Sequence, residues 1–291
     1  LGYDDLAAIN PRLIYCSMTG FGQTGPKREH TAYDNVIQAY SGLMAATGTE
    51  TVNPVKVGPA VVDYGTGAQA AFAVAAALTR RERTGKGQYL DIAMLDAAVM
   101  LMAQTVVQTQ VAGEPPAPHG NSEPHNYAYS CYPTSAGDLM IGGAHAEQHR
   151  RLWRAIGRPD IADELAGLNR REACAEGDRL RPLLADTLLT ESASHWEQVL
   201  NDAGVPAAGV RTMKEAIESD QLRSREVLQS AFELPEQGVY LKAPVCAFIA
   251  NEDGAKISRS PPAAGQDTDE ILTSLGLDTT EISDLRSRGV V

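Results

Sequence analysis

The 291-residue chain carries 25 basic and 37 acidic side chains, a formal charge of −12 and a pI near 5.0, which argues against a phosphate backbone as its main partner and sets nucleic acid aside. Four cysteines, Cys16, Cys131, Cys174 and Cys246, stand far apart with no C-x-x-C spacing, so reduced thiols in a cytoplasmic protein are expected rather than a zinc site or a disulfide framework. The longest apolar runs, such as AAFAVAAAL at 70–78, fall short of the roughly twenty residues of a membrane span, and no membrane segment is expected.

The length suggests about two compact units. The chain opens with LGYDDLAAINPRLIY, without an initiator Met or a signal or transit peptide, as if in the middle of a fold, and a fragment is expected. YDDLAAI reads as a short helix stopped at Asn10 and Pro11, and LIYCS as a buried strand. GFGQTG, 20–25, then fits G-x-G-x-x-G. A dinucleotide loop would open directly into a helix and be followed about twenty residues later by an acid at a strand end. Here PKREH follows without apolar periodicity, so an ordinary turn after a strand is the better reading.

Residues 33–44 have a helical spacing at Val36, Ile37, Tyr40 and Leu43, closed by Gly48. An Ala-rich helix is expected over 68–83, a turn at TGKGQ, a strand at YLDIAM and a helix over 95–112 ending at Gly113. EPPAPHGNSEPH is the clearest linker and marks a boundary. Beyond it the pattern gives strands at YAYSCYPT and LMIGG, then helices at 147–156, 161–165, 179–189 and 194–203, with a further one over MKEAIESDQLRSR. The last part returns to strand-like GVYLKAPVCAFI and a short helix, DEILTSL. The expected division is 1–113, 114–224 and 225–291. His145 and His149 lie four apart without H-E-x-x-H, so no metal is expected.

GFGQTGP with AYDNVIQAYSGLMAATG, then VVDYGTGAQAAFAVAAALTRRERTGKGQYLDIAMLDA, then HGN, YPTSAGD and GVPAAGV stand in one order along most of the chain. In these motifs the sequence resembles the family III CoA-transferases, which include formyl-CoA transferase, carnitine CoA-transferase and α-methylacyl-CoA racemase. The resemblance implies an α/β fold, with a Rossmann-like large domain and a smaller α+β domain, in interlocked homodimers. Residues 1–113 would be the rest of the large domain, 114–224 the small domain, and 225–291 a return to the large one. The family's early Rossmann strands and most of its CoA-nucleotide contacts precede the matching region.

The resemblance places the nucleophilic aspartate at Asp63, which would pass through aspartyl anhydride and aspartyl-CoA intermediates. The residues alone allow Asp63 to be a helix N-cap. Thr66 and Gln69 form a T-x-x-Q capping box, however, which would leave Asp63 just ahead of the helix with its carboxylate favoured by the dipole. Gly65 and Gly67 would let an acyl thioester approach. Tyr33 and Asp34 are expected at the CoA/substrate-binding surface, together with Asn121 of HGN and His125 of GNSEPHN. For each the plainer alternative is an aromatic at a helix start, a first-turn acid or an exposed loop side chain.

GNSEPHN has no run of glycines, which departs from formyl-CoA transferase and argues against formyl and oxalate substrates. The implied partners are an acyl-CoA and a carboxylic acid. No cofactor is implied beyond the CoA thioester, which is itself substrate. Racemase members carry a His where Tyr33 stands; a tyrosine, with an ordinary pKa of about 10, exchanges protons poorly at neutral pH. His30, three residues away, could substitute if the segment is a loop, so an acyl-CoA racemase or epimerase on the same fold stays the rival reading. A truncated, inactive remnant serving in dimerisation or ligand binding is the third.

Overall fold

The computed structural model describes residues 2–234 and 238–291. Leu1, where the sequence opens, and 235–237 within the expected C-terminal segment lie outside the described residues. The chain divides into two compact units, Leu1–Gly209 and Val210–Val291.

The first unit begins with α1 (Tyr3–Ile9), β1 (Ile14–Thr19), α2 (Asp34–Ser41), α3 (Val61–Thr84) and β2 (Gln88–Ala93). β1 and β2 pair in parallel from Ile14↔Gln88 to Thr19↔Ala93, with α2 and α3 in the crossover that a parallel pair requires. GFGQTG is the exit of β1, and no helix opens from it before Asp34. Its first glycine serves packing, since a Cβ on Gly20 would lie 2.6 Å from the Ala32 Cβ. The Gln23 amide donates to the Asp91 carboxylate of β2, which ties the loop to the sheet.

In this part of the chain helix boundaries depart from the sequence pattern at three places. α2 stops at Gly42, not Gly48, because Gly42 takes the left-handed conformation (φ 91°) that ends a helix cheaply only at glycine. The helix expected over 95–112 is two, α4 (Met94–Leu101) and α5 (Ala103–Ala112), with Met102 off helical geometry at φ −100°, ψ 23°. α3 begins at Val61 rather than at 68, so Thr66 is not a cap: its hydroxyl donates to the Val62 carbonyl one turn back, inside the helix.

By length and composition alone α3 could cross a membrane, although its longest apolar run is short. It is one alanine-rich helix with an aspartate in its first turn and arginines in its last, and it packs on β1, β2, α2 and α4 as the crossover helix of an α/β layer.

The unit continues through β3 (Cys131–Pro133), β4 (Asp138–Ile141), α6 (Ala146–Ala155), α7 (Pro159–Glu164), α8 (Arg170–Ala175), α9 (Gly177–Leu188), α10 (Ala193–Asp202) and β5 (Ala207–Gly209). The antiparallel sheet runs β3-β4-β5. YAYSCYPT is strand only over its end, and α8 and β5 were not legible in the pattern. His149, Leu152 and Trp153 form the buried stripe of α6, continued by Ile156 at its C-cap. It joins Leu180, Leu184 and Leu188 of α9 and Trp196 and Leu200 of α10 in one core.

The buried polar tips of its aromatics have partners: Trp153 Nε1 donates to Tyr127 Oη (3.0 Å), Tyr132 Oη to the Tyr127 carbonyl (2.5 Å), and Trp196 Nε1 to the Leu188 carbonyl (2.9 Å). Burial pushes the Tyr132 hydroxyl up to about 12 and that of Tyr127 higher.

The second unit holds α11 (Met213–Ile217), α12 (Asp220–Ser224), the antiparallel pair β6 (Leu228–Leu234) and β7 (Val239–Pro244), and α13 (Thr268–Ser274) and α14 (Thr279–Ser287). MKEAIESDQLRSR gives two helices rather than one, because the Ser219 hydroxyl accepts from the Leu222 amide and starts a new one.

Candidate active site

Asp63 occupies the first turn of α3 with an exposed side chain. Ala60, at the N-cap, offers no side-chain acceptor to the helix. The acceptor comes from another helix: Asp34 Oδ2 accepts from the amides of Val62 (2.8 Å) and Asp63 (3.1 Å). Asp34 thus satisfies two of the amide donors that a helix start leaves free, and its charge sits at the positive end of the dipole.

Asp34, expected among the substrate contacts, is only 6% exposed, and both its oxygens are engaged within the chain. Its Oδ1 accepts from Gln38 Nε2 at 2.6 Å. Gln38 is fully buried, and its Oε1 accepts from the Val57 amide at 2.9 Å. Gln38 was missed in the sequence, although its i, i+4 spacing from Asp34 is the one at which Asp and Gln side chains meet on a helix.

Tyr33 is the N-cap residue of α2, directly before Asp34, and is 84% exposed; its side chain makes no capping hydrogen bond. Lys27 lies over the rings of Phe21 and Tyr40, and His30 meets Phe21 edge-on. The two glycines after Asp63 differ. A Cβ on Gly65 would approach Leu101 Cδ1 to 2.9 Å, so this glycine admits close packing of α4; one on Gly67 would meet nothing within 4 Å.

Asn121 and His125 are brought together elsewhere, at the rim of a cavity of about 950 Å³ whose wall includes Val55, Leu101, Gln104 and Gln108. Asp63, Tyr33 and Asp34 do not line it. Leu101 joins the two places, forming part of the wall and lying against Gly65. The loop that carries Asn121 and His125 is held by Arg181 of α9, which donates to Ser122 Oγ (3.1 Å), Ser130 Oγ (3.2 Å) and the Glu123 carbonyl (2.7 Å). Sequence reasoning passed over Arg181, since nothing local marks it.

His149 is buried, with Nε2 3.2 Å from the Gly143 carbonyl. Among the described residues no group of three or more His, Cys, Asp or Glu side chains is placed to hold a metal.

An exposed carboxylate held by its backbone on a buried polar clamp, in a chain with this motif order, invites comparison with known proteins. The family model for CoA-transferase family III matches residues 1–268. The chain belongs to the family III CoA-transferases.

The chain is 31% identical over 275 residues to the succinate–glutarate CoA-transferase of Agrobacterium fabrum, covering 94% of this chain and 68% of that protein. It is 34% identical over 227 residues to the acetyl-CoA:oxalate CoA-transferase of Acetobacter aceti, covering 78% of this chain and 58% of that protein. A solved CaiB/BaiF family protein from Brucella suis matches with a TM-score of 0.75 at 30% identity, over 94% of this chain and 71% of the other. Rv3272 from Mycobacterium tuberculosis matches with a TM-score of 0.78 at 25% identity, over 92% and 71%. The chain thus has the fold of this α/β family, and it spans 58% to 68% of the length of the first two curated relatives.

Proposed function

We propose that the protein moves CoA from an acyl-CoA donor to a small dicarboxylic acid, with Asp63 as covalent nucleophile. The observation that carries the reading is the exposed Asp63 side chain on a turn whose amides are clamped by buried Asp34. Such a carboxylate is presented to a ligand while its backbone is held in place. The dicarboxylate preference is supported by relatives named for glutarate, oxalate and mesaconate, and oxalate stays within the acceptor class to be tested.

In the proposed route an Asp63 oxygen attacks the thioester carbonyl and expels CoA thiolate, leaving a mixed anhydride. The thiolate attacks the aspartyl carbonyl of that anhydride, which releases the donor acid and leaves an aspartyl-CoA thioester. The acceptor carboxylate then attacks that thioester and expels CoA thiolate. The thiolate attacks the acceptor's acyl carbonyl and regenerates the Asp63 carboxylate. Every bond made is matched by one broken, and no metal or redox cofactor enters. Tyr33, Asn121 and His125 are proposed to line the substrate path.

The working form is proposed to be a homodimer. Phe72 on α3 and Val107 and Val111 on α5 are exposed apolar side chains, Val111 by 84%, of the kind an interface covers. Sedimentation of Phe72→Asp beside the parent protein tests this, with a shift from dimer to monomer expected.

Incubating the full-length protein with acyl-CoA and hydroxylamine tests the chemistry. A hydroxamate confined to the peptide carrying Asp63 is expected; one mapped to another residue would sink the assignment. Solvent deuterium entering the α-carbon of an acyl-CoA without any acceptor acid would favour a racemase instead.

A further inference from the structure

We propose that Asp34 and Gln38 form a positioning relay that sets the attack geometry of Asp63; this deepens the reading of Asp63 as nucleophile and rests on it. The relay runs through one face of α2. The Val57 amide donates to Gln38 Oε1, Gln38 Nε2 donates to Asp34 Oδ1, and the amides of Val62 and Asp63 donate to Asp34 Oδ2. Gln38 Nε2 also reaches the Val57 carbonyl at 3.5 Å. The segment entering α3 and the first turn of α3 therefore hang from two neighbouring side chains, 6% and 0% exposed.

Three features separate this from ordinary helix capping. The cap comes from outside the helix, in place of the side chain Ala60 lacks. One of the two amides it holds belongs to Asp63 itself. The acceptor is in turn fixed by a buried amide whose own carbonyl oxygen is engaged, so the Asp34 carboxylate has little freedom to swing. Nucleophilic attack needs the reacting atoms about 3–3.5 Å apart and aligned, and a misplacement of about 1 Å costs on the order of 10²-fold in rate. Asp34 acts through the Asp63 backbone and is a positioning residue.

The relay makes a reversible prediction about polarity. In Asp34→Asn the new amide group faces Gln38 Nε2, donor against donor. In Asp34→Asn/Gln38→Glu the amide at position 34 donates to the carboxylate at position 38. That carboxylate still accepts from Val57, and the remaining oxygen at position 34 still accepts from Val62 and Asp63. The double variant thus restores the relay's hydrogen bonds, except the 3.5 Å one to the Val57 carbonyl, with the charge moved one link away.

The full-length protein is assayed for kcat and KM, for the CoA adduct on the Asp63 peptide by mass, and for amide exchange at Val62 and Asp63. Asp34→Asn is expected to lose about 10²-fold in kcat with KM for acyl-CoA little changed, to form the adduct correspondingly slowly and to exchange both amides faster. The double variant is expected to recover at least about tenfold of that loss and the amide protection.

Wild-type kcat and amide protection in Asp34→Asn would overturn the relay. So would a double variant that melts like wild type yet turns over no faster than Asp34→Asn. If Asp34→Asn does not fold, the double variant decides alone: folding with at least about a tenth of wild-type kcat supports the relay, and anything less overturns it. Asp63→Ala separates the two readings: retained turnover there removes the nucleophile assignment, whereas an inert Asp63→Ala beside a fully active Asp34→Asn removes the relay alone.

Discussion

Around Trp153, Leu184 and Leu200 the chain closes a core from its own side chains, with aromatic tips bonded to carbonyls and hydroxyls inside it. Beside Asp63 the buried apolar cluster among the described residues is Ile37, Val62 and Ala98, with half-buried Phe21, Ala32, Leu43, Val61, Met94 and Leu95 packed against it, while Tyr64 and Phe72 of α3 stay exposed. The first region is held by apolar burial from many contacts, so its geometry follows from shape. In the second, orientation comes from a few hydrogen bonds of a buried Asp and Gln, which specify where Asp63 stands at small cost in core volume. Removing one group should therefore damage stability in the first region and chemistry in the second.

The sharpest break in that contrast is expected from Asp63→Ala. The side chain is exposed, so melting should change little, whereas kcat should fall on the order of 10⁴-fold or more if the covalent route holds. Leu184→Ala should do the opposite. Leu184 is fully buried, and its truncation should cost about 2–5 kcal/mol in denaturant unfolding while turnover per folded molecule is kept. If Leu184→Ala slowed chemistry without lowering stability, the division of labour would be wrong.

A smaller effect is expected from pH, again in the first region. Burial holds the His149 imidazole below its ordinary pKa, the Gly143 carbonyl opposes this, and Arg170 and Arg150 reinforce it. The unfolded chain then binds the proton more readily than the folded one. The stability is fully present above about pH 6.5 and is lost as pH falls through the window below it, by at most about 1.4 kcal/mol per pH unit. His149→Phe should flatten this slope in melts between pH 7 and 5, since the Gly143 carbonyl keeps its bond from Asn126. An unchanged slope would place the titrating group elsewhere.

What was legible in the sequence follows from how local each cause is. α1, β1, β2 and the helix α6 were readable because their patterns lie within their own residues, although β1 is not the buried strand expected: Cys16 and Met18 are exposed and none of its residues is fully buried. The start of α3 was misread by seven residues, 61 against 68, because its cap is Asp34, far away in the chain, while T-x-x-Q offered a false local one. The break at Met102 carries no Gly or Pro, and β5, reading AAG, has no β-branched residue to mark a strand. The aspartate at 63 could be singled out only through motif order. Gln38 and Arg181 act through residues distant in sequence, Val57 and Ser122 among them, and no short window contains that information.

The smallest expected effect separates two glycines that the sequence treats alike. Both lie inside α3, where alanine is favoured over glycine by about 0.8–1 kcal/mol. At Gly67 the added methyl meets nothing within 4 Å, so Gly67→Ala should realise most of that gain as a raised melting temperature. At Gly65 the methyl would lie 2.9 Å from Leu101 Cδ1, and Leu101 must rotate away, offsetting the gain and disturbing the cavity wall it helps to form. Equal stabilisation by the two variants would mean that α4 does not press on the first turns of α3. If a thioester passes over Gly67 to reach Asp63, Gly67→Ala should raise KM for acyl-CoA even as it stabilises the fold.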